Sequence, residues 1–418
     1  MVSLKIGNYF LSIHLFTLPS MTHTSDFLII GGGIFGLSAA LSLRERQYNV
    51  TLINSDALPH PLAASTDISK IVRVEYGSDQ QYFNMAMESI KGWETWNQML
   101  DRPVYQSTGL LMLMQKDQKA PEQSFERESV ALLQEAGLAT QWLSEGELRS
   151  RYPAINTDFF PYAHFNTRAG YVASGEAIGL LAAYAKKRGV IIREGQTAQE
   201  LVIGHGHLRQ VKTREGVRFS AGQTIVAAGA YTPYLVPDLQ PYLKATGHPV
   251  FHFRPVEANA FRAAHLPVFT ADISNTGWYG FPYHPREGVV KIARHTDGLL
   301  LHPSLDDRRV TDAEVTDCRT FLALAIPALA KAPLVHTRRC LYTDTLDGHF
   351  WIDRHPEIRG LSVASGGSGH GMKMGPALGP LIADMAEGKE NAWLARFRWR
   401  ALKADTIQEE AARFKQSS

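Results

Sequence analysis

Cysteine is nearly absent: Cys318 and Cys340 are the only two in 418 residues. That excludes a disulfide framework and fits a reducing compartment, so a cytoplasmic location is expected. Neither sign of charge prevails. The 43 Lys and Arg face 41 Asp and Glu, a net charge of +2 with both signs interspersed. Bulk attraction to nucleic acid or to an anionic membrane is therefore not expected. The most apolar stretch, Phe27 to Leu43, is broken by glycines and serines and does not read as a membrane span. No G-x-S-x-G elbow, internal repeat, low-complexity linker or basic-aromatic stripe occurs. His349, His355 and His370 do not have tetrahedral-ligand spacing or clustered acidic or thiolate partners, so no metal is expected.

What is present begins at Asp26, with DFLIIGGGIFGLSAALSLRERQYNVTLIN. The apolar run Phe27 to Ile30 reads as a buried parallel strand, and Ile34 to Gln47 as an apolar-faced helix. Between them Gly31, Gly33 and Gly36 stand at G-x-G-x-x-G spacing, and Asn49 to Ile53 supplies a second strand. In such a unit the first glycine permits the tight turn, the second lets backbone approach a pyrophosphate, and the third lets helix pack on strand. The N–H groups at the helix start then hold the phosphates. A dinucleotide site is expected here. Asn54 stands where an acid usually holds the ribose, and it can still offer that sugar an uncharged hydrogen bond. Ile34, Phe35, Ser55, Ala198, Ala228 and Gly229 are assigned to the same site.

At 418 residues, 44% apolar and 20% charged, the chain can build two core-bearing domains. Alternating strands and helices return after Gly170 and again from Gly360 to Glu387, whereas 241–339 is rich in aromatic strands with one helix near Asp312 to Ala325. The expected fold class is α/β (α+β), a Rossmann-like nucleotide-binding domain interleaved with an antiparallel-sheet substrate domain. Residues 25–100, 165–240 and 340–395 are assigned to the first, and 101–164 and 241–339 to the second. Residues 1–24 read as a disordered extension and 396–418 as a helical tail. Ser174 is expected to cap the helix that follows it.

With those segments placed, the sequence resembles the D-amino-acid-oxidase-like flavoproteins, and within them the monomeric sarcosine oxidase branch. That branch also holds N-methyltryptophan, pipecolate, saccharopine and fructosyl amino acid oxidases. The likeness runs from Asp26 to about Glu390. It rests on the glycine-rich unit, on Lys70-Ile71-Val72-Arg73 before Tyr76-Gly77, on Cys340-Leu341-Tyr342-Thr343 leading to Asp347-Gly348-His349-Phe350-Trp351-Ile352-Asp353, and on Gly366-Gly367-Ser368-Gly369-His370-Gly371-Met372-Lys373.

The resemblance implies FAD tethered through the sulfur of Cys340, beside His336, Arg338 and Arg339, cations that would favour the thiolate. It implies that Arg73 and Lys373 grip a substrate carboxylate, the one as a two-pronged donor and the other as a point charge. The turn Gly366 to Gly371 would approach the flavin ring with its backbone. Lys291, interrupting the apolar strand Val289 to Ala293, matches the lysine that promotes reaction with oxygen. His295 and Tyr279 match pocket residues. Lys70 departs from the arginine of sarcosine oxidases, and Asp67-Ile68-Ser69-Lys70 is similar to the fructosyl and saccharopine branches, while His295 leans away from a sugar-linked substrate.

The function expected is an FAD-dependent amine oxidase acting on a secondary amino acid, with oxygen reduced to hydrogen peroxide and the chain a monomer. The alternatives are a fructosyl amino acid, pipecolate or saccharopine oxidase, a flavin dehydrogenase serving a quinone or carrier protein, and a flavin-retaining module without catalysis.

Overall fold

In the computed structural model, which describes residues 4–6, 9–11, 22–115, 124–403 and 412–414, Phe27 to Ile30 is the buried end of the strand Thr22–Ile30. Val50–Ile53 runs parallel on one side of it and Arg218–Val226 parallel on the other. Ile191–Arg193 extends the sheet beyond Val50–Ile53. On the far side Arg218–Val226 meets the hairpin strand His207–Thr213 at its start and Leu361–Ser365 at its end. Strands buried on both faces read as continuous apolar runs, which is why Leu28, Ile29, Leu52 and Ile225 are fully shielded. The parallel strands all deliver their carboxyl ends to one rim, where the glycine turns lie.

The helix Ile34–Glu45 packs on this sheet and against Gly375–Glu387. Their approach is close: a methyl group on Gly379 would lie 2.6 Å from the Ser38 carbonyl oxygen. Gly36 is still tighter, since its Cβ would stand 1.9 Å from the Gly31 carbonyl oxygen.

A second sheet of nine strands is built around Leu243–Phe253 and Leu334–Thr345, which pair antiparallel over nearly their whole length. Val290–Arg294 lies on the other flank of Leu243–Phe253 and Trp278–Gly280 beyond it. The expected antiparallel sheet has one parallel junction, Leu110–Met114 against Val268–Ala271. The helix Asp312–Ala325 covers it, started by a capping box between Thr311 and Glu314. A small third sheet joins Lys70–Val72, Gly170–Val172 and Tyr105–Gln106.

Several local expectations differ. Cys340 to Thr345, assigned to the nucleotide-binding part, belong to the long strand of the second sheet. Ser174 is not a cap: Ala173 holds that position, and the Ser174 hydroxyl donates to the Asp67 carbonyl at 3.0 Å. Of the extension read as disordered, Leu4–Ile6 pairs with Tyr9–Leu11, and Thr22 to Thr24 register beside Arg218 to Ser220; residues 1–3, 7–8 and 12–21 lie outside the described residues. In the tail read as helical, a 3-10 turn ends at Phe397, 398–403 are not helical, and Phe414 bridges to Thr296; 404–411 and 415–418 lie outside the described residues. No helix among the described residues is long and apolar enough to cross a membrane.

Candidate active site

A cleft of about 660 Å³ opens at the rim of the parallel sheet, within the ~300–1,000 Å³ usual for small-molecule and cofactor sites. Gly31, Gly33, Ile34, Phe35, Asn54 and Ser55 line it from the opening unit. Lys70, Ala198, Ala228 and Gly229 follow from neighbouring segments, and Gly366, Gly367, Gly369 and Gly371 from the last glycine-rich turn. Gly31 takes φ +108°, and a Cβ there would sit 2.4 Å from the Ala227 carbonyl oxygen, so backbone alone forms that wall. A long groove lined by bare backbone at a helix start fits the pyrophosphate and sugars of FAD.

Five residues assigned to the cofactor lie behind this wall. Gly36 sits at the helix contact described above. The Ser368 hydroxyl receives the Thr345 N–H at 3.2 Å and braces the turn. His370 turns away: its ring stacks on Phe350 at 4.7 Å and meets the Tyr76 hydroxyl at 3.1 Å. Cys340 and Lys373 are buried at the end of the cleft taken up below.

Asn54 lines the cleft and also braces the turn before it. Its side-chain oxygen accepts the Gly32 N–H at 2.9 Å and its amide donates to the Asp56 carbonyl at 2.8 Å, so it clasps the turn. Asp56, two residues on, lines the cleft with a carboxylate and was missed from the sequence. The distance of an acid from the strand end was the signal available.

Cys340 and Lys291 meet through one carboxylate. Lys70 Nζ lies 3.5 Å from Cys340 Sγ and 3.3 Å from Asp67 Oδ2, and Lys291 Nζ donates to the same Oδ2 at 2.7 Å. Lys291 also donates to the Ser69 carbonyl at 2.5 Å. Its side chain and that of Asp67 are each 1% exposed. Burial pulls Lys291 down to about 8 from the ordinary lysine value; Asp67 opposes this and Lys70 reinforces it. Asp67 goes the other way. Burial would raise it, but Lys291, Lys70 and Arg338 together hold it far below the carboxylate range. For Lys70, burial pushes down and is outweighed by Cys340 and Asp67, leaving the ammonium above its ordinary value.

The cations expected around Cys340 divide by strand alternation. Arg339 faces the other way and pairs with Glu314 at 2.8 Å, Arg338 donates to the Thr66 carbonyl, and His336 is exposed. Lys70 is the cation in reach of the sulfur.

Arg73 and Lys373 also come together. The guanidinium carbon of Arg73 stands 5.1 Å from the Tyr76 ring centre, and Lys373 Nζ 4.9 Å from the same ring. Arg73 lies 5.3 Å from the Phe125 ring as well. Phe125 packs with Ile273, Ala412 and Tyr279. Tyr279 in turn hydrogen-bonds Tyr342, and both pack with Cys340. A Cβ on Gly369 would meet Tyr342 at 2.7 Å and His295 at 2.9 Å, so the His295 ring also borders the turn. His248 stacks on Tyr342 at 4.0 Å, and burial lowers it well below the usual histidine range.

No motif or spacing marks Ala412 to Phe414 as part of this wall. Arg413 forms two buried hydrogen bonds to Asp344, at 2.7 and 2.9 Å, and the Phe414 N–H donates to the His295 carbonyl at 3.2 Å.

A backbone-lined dinucleotide cleft that ends in buried lysines and a cysteine on a second sheet defines an oxidoreductase of the flavin-binding class. Residues 26–385 match the family model described as DAO, FAD dependent oxidoreductase, and the chain belongs to that family. FAD is its cofactor. The chain is 27% identical over 369 residues to a monomeric sarcosine oxidase of a Bacillus species, covering 86% of this chain and 92% of that one. It is 28% identical over 416 residues to the L-saccharopine oxidase of Schizosaccharomyces pombe, covering 89% and 92%. A solved fructosyl peptide oxidase, 23% identical, superposes with a TM-score of 0.82 over 94% of this chain and 97% of that chain, a likeness of fold.

Proposed function

We propose that the protein oxidises the C–N bond of an N-substituted amino acid, holding FAD covalently through Cys340 and using oxygen as the acceptor. The observation that carries the proposal is the pair Arg73 and Lys373, two buried cations on one tyrosine ring, set beside the Cys340, Lys70 and Lys291 cluster. FAD held there would supply the two-electron chemistry, a hydride acceptor for the carbon next to the amine nitrogen and a donor of both electrons to oxygen, so that the products would be hydrogen peroxide and an imine that water hydrolyses.

Arg73 receives the carboxylate with its fork and Lys373 adds a point charge, which fixes the amino acid's orientation. The surrounding cations disfavour a protonated amine, so the nitrogen binds with its lone pair available. Lys291 holds a positive charge in a water-poor place, where it stabilises negative charge developing nearby. Tyr279, Phe125 and Ala412 pack together beside Arg73, an apolar surface that would exclude water from the bound amine. His295, neutral or cationic, offers no carboxylate to a sugar, which favours a simple N-alkyl substituent over a fructosyl one. The names of the sarcosine and saccharopine oxidases among the relatives support the same class of substrate.

The test is anaerobic flavin bleaching across sarcosine, N-methyl amino acids, pipecolate, proline, saccharopine and fructosyl amino acids. At least one N-alkyl amino acid is expected to bleach the flavin, with about one peroxide per turnover in air. Arg73→Met should raise KM by roughly 10- to 100-fold, the worth of one charge-assisted contact. Failure of every amine to bleach, or bleaching without peroxide, contradicts the reading.

A further inference from the structure

We propose that Asp67 is a positioning residue of the active site, whose one carboxylate sets the placement and the charge of both Lys291 and Lys70. The inference rests on the proposed function only in taking Lys291 as the acceptor-side cation; the carboxylate's hold on the two lysines stands apart from it.

Asp67 is fixed before it does anything electrostatic. Its carbonyl accepts the Gly175 N–H at 2.8 Å and the Ser174 hydroxyl at 3.0 Å, both from the start of the helix Ser174–Lys187. Its Oδ1 accepts the Ile68 N–H at 2.8 Å, which orients the carboxylate plane. The other oxygen, Oδ2, then lies between the two ammonium groups, 2.7 Å from Lys291 and 3.3 Å from Lys70.

Lys291 comes from the second sheet and Lys70 from the small three-stranded sheet, so one oxygen joins two separately folded segments. An ammonium has three N–H donors. Asp67 and the Ser69 carbonyl take two from Lys291, and the Phe281 ring lies 4.6 Å from its Nζ. Rotation of the lysine tip is thereby suppressed. His252 approaches Oδ1 at 4.0 Å, and burial keeps it neutral by lowering it to about 3, so it supplies no competing charge.

Two ammonium groups this close, one buried and one half-buried, repel when no carboxylate lies between them, and one releases its proton. The Lys70 side chain is 15% exposed and can share its charge with solvent, whereas that of Lys291 is 1% exposed and has Asp67 as the acid in contact. Removing the Asp67 charge therefore discharges Lys291 first.

The experiment follows each lysine by 13Cε NMR on the full-length cofactor-bound protein across pH, in wild type, Asp67→Asn and Asp67→Glu, with stopped-flow reduction and reoxidation alongside. In Asp67→Asn the Lys291 midpoint is expected to fall by ~1–3 pH units. The pH limb of reoxidation should move by the same amount while anaerobic reduction by substrate changes little. Asp67→Glu should restore most of both. An unmoved Lys291 midpoint in folded Asp67→Asn overturns the proposal, as does equal loss of reduction and reoxidation in both variants. Should Asp67→Asn not fold, Lys70→Gln serves instead: relieved of its like-charged neighbour, Lys291 should titrate higher, and a lower or unchanged midpoint overturns the proposal. None of these titrations depends on which amine the enzyme oxidises.

Discussion

Lys291 is a lysine that titrates within the working range of most enzymes, because burial outweighs the carboxylate beside it and brings it to about 8. A lysine lowered in this way is protonated below that value and neutral above it. In the role proposed for Lys291, its positive charge is about nine-tenths present at pH 7 and is lost as pH rises through about 8. Stopped-flow reoxidation should slow above pH 8, and Lys291→Met should be slow and flat across the same range. A wild-type reoxidation rate that climbs through pH 8 contradicts the assignment. The sequence singled out Lys291 as a charge interrupting an apolar strand, and Arg73, Lys373 and Cys340 by the stretches that carry the family resemblance. Asp67 was visible only as one letter of Asp-x-x-Lys. Its partner Lys291 is 224 residues away, and pairing at that distance leaves no periodic trace.

Among the elements, the opening strand-turn-helix was the most legible because its requirements are local. Gly31 needs a left-handed φ and Gly36 needs the absence of a Cβ, and both needs are written as glycine. Asn54 has a second task that its residue type did not announce: its amide also holds the turn. The tail was not legible at all. Ala412 to Phe414 have no pattern of their own, and their place is set by Asp344, His295 and Gly277 on three other segments. Arg413 and Asp344 are both buried, and Asp344 is held below the usual carboxylate range by Arg413, which overcomes the effect of burial. Removing one partner leaves an uncompensated charge, so Arg413→Ala should cost about 3–5 kcal/mol in urea unfolding. Loss of under ~1 kcal/mol would show that the tail is not anchored there. The same variant should accept bulkier N-substituents, since Ala412 packs against Tyr279 and Phe125.

At the scale of the whole molecule, the chain crosses between its two large sheets repeatedly, drawing the mostly parallel one from 22–53, 191–226 and 351–365 and the other from 110–166 and 243–345. Alternating helices and strands predicted the first, and aromatic strands with few helices the second. Which strand would carry Cys340 was harder, because the burial of Leu334–Thr345 changes midway, from exposed or half-exposed positions to a run buried from Arg339 on. The interleaving has a functional consequence. The glycine cleft belongs to one sheet and the cysteine to the other, so a tether through Cys340 would tie the cofactor to both. Acid precipitation measures this directly. The account predicts that the yellow colour stays with the denatured wild-type protein and leaves Cys340→Ser with the supernatant. Free flavin from the wild type, or colour retained by Cys340→Ser after denaturation, would contradict it.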